Sequence, residues 1–244
     1  MKILATALSL FLLMACDKSN SSSMTQELSA TTPVKTTITS PKLTYLALGD
    51  SYTIGEAVTQ AESFPFQLAA DLRAKQFNVA TPKIIAKTGW TTSELQQGIK
   101  ASGVTGTFSF VTLLIGVNNQ YRGQSKDTYR TQFKQLLQTA ITFAAGKKAH
   151  VFVVSIPDWG LTPFGKKSGR NQKAISADID AFNAINKQET LAAGISYTNI
   201  TPASRLVVTD LSLVASDGLH PSGKMYAGWG KALTTPIAAA FTTH

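Results

Sequence analysis

From Leu43 onward the chain alternates short apolar runs with longer stretches of helical period, and that alternation limits it to a few architectures. The apolar runs lie at Leu43 to Leu48, Lys83 to Lys87, Phe110 to Ile115, Val151 to Ile156 and Ile195 to Ile200. Near-continuous apolar character, rather than alternation with polar residues, marks strands buried on both faces, as in a parallel sheet. Between the runs, Phe64 to Gln76, Ser93 to Ala101, Thr128 to Ala145 and Ile175 to Ala193 carry apolar residues at helical spacing, and Ser222 to Phe241 follows the last run. Parallel neighbours need crossover connections, which are right-handed and helical, so helices cover both faces. The expected fold class is α/β: a three-layer α/β/α sandwich around a central parallel sheet of about five strands.

The first apolar run stops abruptly at Gly49-Asp50-Ser51. Ser51 therefore stands at the carboxyl end of the first strand, the edge where open α/β sheets bind their ligands. A serine hydroxyl is a weak nucleophile until a base takes its proton, so chemistry at Ser51 requires a histidine and a group to orient it. The chain has three histidines, His150, His220 and His244. His150 falls at the start of a strand and His244 is the last residue, which leaves His220. Asp217 lies three residues before it, a spacing that lets the carboxylate reach the ring if the backbone coils there. Asp158, on the same sheet edge, is a rival for that orienting role.

Gly49-Asp50-Ser51 and Asp217-x-x-His220 resemble the first and last blocks of the GDSL/SGNH hydrolase family. Two middle blocks are also present. Ala86-Lys87-Thr88-Gly89-Trp90-Thr91-Thr92 resembles the glycine block, and Leu113-Leu114-Ile115-Gly116-Val117-Asn118-Asn119 resembles the Gly-x-Asn-Asp block, with Asn119 where the family usually carries aspartate. The resemblance runs from about Leu43 to Phe241. It implies a flavodoxin-like SGNH hydrolase fold, a catalytic triad of Ser51, Asp217 and His220, no cofactor, and an oxyanion hole made by the Ser51 N–H, the Gly89 N–H and the Asn118 amide. Such donors, fixed in advance around a developing oxyanion, favour the transition state over the ground state. The motif differs from the Gly-x-Ser-x-Gly elbow of α/β-hydrolases, because Thr53 stands where the second glycine belongs.

Several residues close to strand ends form a candidate substrate rim: Tyr52, Trp90, Asn119, Tyr121, Arg122, Asp158 and Trp159. Aromatic faces suit sugar rings as well as acyl chains, and the planar fork of Arg122 matches a carboxylate or phosphate. Each aromatic could equally cap the core, and Arg122 could equally be a solvated loop residue. The polar segment from Gln120 to Asp127, with Gly123 in it, is a candidate for a mobile edge.

Residues 1–15 combine Lys2 with a short apolar run ending in Leu13-Met14-Ala15, ahead of the sole cysteine, Cys16. The run is too short for a membrane span, which needs roughly twenty apolar residues, and reads as an export signal. Its end resembles the lipobox of bacterial lipoproteins, which makes Cys16 the lipidated first residue of the mature chain. The alternative is an ordinary signal peptide containing a cysteine. Residues 16–41 are Ser/Thr-rich and poor in large apolar residues, as in a flexible tether, and residues 42–244 make one hydrolase domain. The expected location is the bacterial cell envelope, with the membrane touched only through the lipid.

A net charge of +9 invites a nucleic-acid reading. No aromatic-rich basic motif of a nucleic-acid reader accompanies it, so none is expected as partner. Scattered histidines, a lone cysteine and the absence of a Gly-rich phosphate loop likewise give no metal or phosphate motif. The expected activity is a serine esterase that removes short acyl groups, acetyl foremost, from carbohydrate. Alternatives are a lysophospholipase or thioesterase acting on longer chains, an acyltransferase, and a non-catalytic glycan-binding lipoprotein.

Overall fold

In the computed structural model, residues 41–242 are described. Five strands form one all-parallel sheet in the order β2-β1-β3-β4-β5: β1 (Tyr45–Gly49), β2 (Lys83–Ala86), β3 (Phe110–Leu114), β4 (Val151–Val154) and β5 (Ser196–Thr198). The helices are α1 (Ser51–Ile54), α2 (Phe64–Ala74), α3 (Thr92–Ala101), α4 (Val117–Tyr121), α5 (Lys126–Phe143), α6 (Pro163–Lys167), α7 (Gln172–Ala192), α8 (Thr201–Ser204) and α9 (Gly223–Thr242). α2 packs on α9, and α3, α5 and α7 pack on one another in succession, so two helical layers enclose the sheet. The expected sandwich is what the chain forms.

Burial explains the apolar runs. β1, β3 and β4 are buried at every position, whereas the edge strand β5 is only half-buried. β5 is also shorter than the Ile195 to Ile200 run. After Thr198 the Ile200 and Thr201 N–H groups donate to Ser155 Oγ, so the chain leaves the ladder for α8. Among the described residues no helix is long and apolar enough to cross a membrane.

The register places the site. Gly49 pairs with Ala86 on one side and with Leu114 on the other, so β1, β2 and β3 end level with one another. The chain passes from β1 to β2 on one side and later returns to β3 on the other. The crevice between the ends of β1 and β3 is thus the point where strand order reverses, the usual ligand position in an open α/β sheet. A Cβ on Gly49 would sit 2.1 Å from Thr53 Oγ1 and 2.4 Å from the Leu114 carbonyl oxygen. Only glycine lets the chain turn this tightly from β1 into α1 against β3.

Candidate functional site

Ser51 opens α1 directly after that turn. Asp50 caps the helix, its Oδ1 accepting the Tyr52 N–H at 3.0 Å, while Oδ2 is buried without a partner. Burial pushes the Asp50 carboxyl up to about 8. The serine itself is 4% exposed and faces a cavity of about 200 Å³.

His220 faces the same cavity. It sits in a tight loop closed by the Ala215 N–H donating to the His220 carbonyl at 2.8 Å. Asp217 organises this loop from inside. Its Oδ1 accepts the N–H groups of Leu219 and His220 at 2.9 and 3.0 Å, and its Oδ2 accepts the His220 Nδ1–H at 2.6 Å. Partial burial alone would push the Asp217 carboxyl up, but the hydrogen bonds from the His220 ring and from these two N–H groups outweigh it and hold the carboxyl below its ordinary value. Nε2 is then the ring nitrogen left for Ser51. Among the described residues no hydrogen bond joins Ser51 Oγ to the ring; such contacts commonly tighten only when substrate is bound. Tyr52 is buried beside the imidazole, with ring centroids 5.3 Å apart.

Gly89 has φ +83°, a left-handed conformation that favours glycine. The segment that follows it is fastened to the end of β3 residue by residue. Arg122 Nη2 donates to the Gly89 carbonyl, and Asn118 Nδ2 donates to the Trp90 carbonyl at 3.0 Å. The Thr92 N–H donates to Asn119 Oδ1 at 3.1 Å, and Asn119 Nδ2 donates to Thr92 Oγ1 at 2.7 Å. Arg122 Nη1 also bonds both carboxylate oxygens of Glu94 at 3.1 Å. Glu94 in turn closes the capping box of α3 with Thr91.

Four of the residues expected on the rim have other duties. Asn119 is fully buried and spends its amide on Thr92 and Gln124. Its amide thus accepts from the Thr92 backbone and donates to the Thr92 and Gln124 side chains. Arg122 is taken up by Glu94 and Gly89. Trp90 lies across Gly98 of α3, where an added Cβ would come within 2.0 Å of the indole. Asp158 is buried, accepts the Gly160 N–H at 3.0 Å and pairs with Arg205 at 3.0 Å, so it does not orient His220.

Tyr52, Tyr121 and Trp159 do line the cavity, as does Asn118. Val117, Phe164 and Leu219 complete its wall and went unnoticed in the sequence. Phe164 belongs to α6, whose Thr162 cap and Pro163 were a legible helix start beside the basic residues that follow. The Gln120 to Asp127 segment is tied at its start: buried Gln120 accepts the Trp159 indole N–H at 2.8 Å and donates to Asp178 at 3.2 Å. Cys16, the signal segment and most of the tether lie outside the described residues.

The chain resembles several solved hydrolases in fold. A lipase/acylhydrolase from Enterococcus faecalis is 17% identical with a TM-score of 0.64, covering 81% of this chain and 96% of its own. An acetylxylan esterase from Geobacillus stearothermophilus is 16% identical with a TM-score of 0.63, covering 82% and 95%. A psychrotrophic esterase from Pseudoalteromonas sp., solved with a monoethylphosphonate inhibitor, is 16% identical with a TM-score of 0.59, covering 80% and 97%. No curated protein matches the sequence. Residues 47–227, which contain every block of the site, match the GDSL-like Lipase/Acylhydrolase family, and the chain belongs to that family as a serine ester hydrolase.

Proposed function

We propose that Ser51, His220 and Asp217 hydrolyse short acyl esters of carbohydrate through an acyl-enzyme. The observation that carries this reading is the 2.6 Å Asp217–His220 bond beside Ser51 in one small cavity. Ser51 Oγ attacks the acyl carbonyl while its proton passes to His220 Nε2. The resulting imidazolium is held by Asp217, and the oxyanion by the N–H groups of Ser51 and Gly89 and the Asn118 amide. Collapse breaks the ester C–O bond, and His220 returns the proton to the departing alcohol. Water then attacks the acyl-serine, gives its proton to His220, and releases the carboxylic acid as Ser51 recovers the proton.

The acyl part is short on grounds of space. A cavity of about 200 Å³ falls below the roughly 300–1,000 Å³ of pockets that enclose drug-sized ligands. Tyr121, exposed and edge to face with buried Trp159 at 5.2 Å, offers an aromatic face suited to the first sugar ring beyond the acyl group. The acetylxylan esterase among the fold neighbours acts on such a substrate. Residues 1–16 support export and anchoring through a lipidated Cys16.

Hydrolysis of 4-nitrophenyl acetate and octanoate by the detergent-solubilised full chain, with Ser51→Ala as control, tests the reading. Ser51-dependent preference for acetate is expected. Octanoate preference moves the enzyme to lipid or thioester substrates, and absence of Ser51-dependent turnover removes the hydrolytic mechanism.

A further inference from the structure

A second hollow lies against the first. It is an open groove of about 610 Å³ running over α7, with Gln120 and Lys126 on one side and Arg170 and Asn171 at its head. Side chains that line the groove touch side chains that line the cavity. Gln120 holds the indole of Trp159 through the 2.8 Å bond already described, and the Arg170 guanidinium lies 4.4 Å over the Tyr121 ring, with Nη1 donating to the Tyr121 carbonyl at 2.9 Å. Trp159 and Tyr121 face the serine; Gln120 and Arg170 face the groove.

Charge gives the groove a sign. Its one carboxylate, Asp178, is already bonded to Lys126 and Gln120. Arg170 has no carboxylate partner among the described residues, and neither do Lys166, Lys167 or Lys173 near it in sequence. Its guanidinium is pre-set by the Tyr121 face and its own backbone bond, with further N–H donors to spare. An ester seated on Ser51 has two halves. The small apolar cavity takes the acyl half, and the wide groove beyond Tyr121, with Gln120, Asn171 and Arg170 beside a floor of alanines and Ile175, fits a larger alcohol half with sugar faces, hydroxyls and a negative charge.

We propose that this groove binds the alcohol half of the substrate, an acidic glycan whose carboxylate is read by Arg170. The inference rests on the esterase reading above and adds the substrate class.

The test compares three substrates on the full chain: 4-nitrophenyl acetate, an O-acetylated neutral xylo-oligosaccharide, and an O-acetylated uronic-acid oligosaccharide of equal length. The wild type is expected to favour the acidic oligomer, and added salt to erode that preference through screening. In Arg170→Ala the ratio of kcat/KM on the acidic oligomer to that on nitrophenyl acetate should fall about tenfold, as for loss of a charge-assisted hydrogen bond, with a smaller fall in Arg170→Lys. Ala177→Tyr, on the exposed floor of the groove, should lower that ratio for both oligomers. Equal treatment of acidic and neutral oligomers, a preference that ignores salt, or a ratio untouched by both variants overturns the proposal, as does faster cleavage of a lysophospholipid. Loss of Ser51-dependent nitrophenyl acetate hydrolysis in the wild type would instead sink the esterase reading itself.

Discussion

The Asn118 side chain donates one of its two amide hydrogens to the Trp90 carbonyl at 3.0 Å. That bond couples the loop after β2 to the loop after β3, the two segments expected to supply oxyanion donors other than Ser51. It also sets which way the amide faces, leaving the second hydrogen for substrate in the cavity that Asn118 lines. Replacing Asn118 by alanine should lower kcat roughly a hundred- to a thousand-fold with little change in KM, because the lost bond forms fully only in the transition state. Steady-state kinetics on nitrophenyl acetate decide it; a rise in KM at unchanged kcat would assign Asn118 to ground-state binding.

Arg122 acts at one remove, through the carbonyl of Gly89. Its ion pair with Glu94 is solvent-exposed, so its direct contribution to stability should be small, about 0–1 kcal/mol. Arg122→Ala is expected to lower kcat about tenfold through loosening of the Gly89 backbone, since a small misplacement of donors is costly to rate. Added guanidinium should restore part of the loss. A variant with unchanged kcat, or one whose deficit follows only its lowered melting temperature, would remove Arg122 from any positioning role.

The two candidate carboxylates separate cleanly by experiment. Asp217→Asn keeps the volume but removes the charge that holds the His220 imidazolium, and kcat should fall by about 10² to 10⁴. Asp158→Asn removes the buried partner of a partly exposed Arg205, which keeps Asp180, and should cost about 1–3 kcal/mol of stability through the lost charge-assisted hydrogen bond. Activity per folded molecule should survive it. Urea unfolding and active-site titration, run side by side, distinguish the two outcomes.

Asp50 gives the fold a pH dependence of definite sign. Its folded value of about 8 lies above the ~3.9 of an unfolded chain. Between those values the folded protein keeps a proton that the unfolded chain has released. The contribution to stability is therefore fully present below about pH 4 and is lost as pH rises toward 8, at no more than ~1.4 kcal/mol per pH unit. Asp50→Asn retains the acceptor for the Tyr52 N–H and removes the titration. Its stability, measured by urea melts from pH 5 to 9, should fall less with rising pH than that of the wild type; parallel curves would show that Asp50 does not titrate in this range.

The sheet and its helices were readable because burial on both faces demands long apolar runs, and Tyr45–Gly49 or Phe110–Leu114 admit no other reading. The Asp217–His220 contact was readable because the two residues lie three apart, and the nearness of Ser51 because a parallel sheet gathers its strand ends on one edge. The rim was not. A residue just past a strand end can turn toward the cavity or back into the protein, and the choice is made by partners far along the chain. Thr92 and Gln124 turn Asn119 inward, Arg205 claims Asp158, and Gly98 makes room for Trp90. Nothing in the immediate neighbourhood of Asn119, Asp158 or Trp90 announces those partners.

Ser51 follows β1 directly, whereas His220 stands just ahead of α9. The helices that flank them, α2 and α9, lock together through Phe64 on Trp229 and through the close seat of Gly230 against the Leu68 backbone. Ser51 is thus synthesised well before the imidazole that the proposed mechanism pairs with it. On the proposed mechanism, a chain cut anywhere between Ser51 and Asp217 separates the hydroxyl from the imidazole, so hydrolytic power requires both segments in one folded sheet edge.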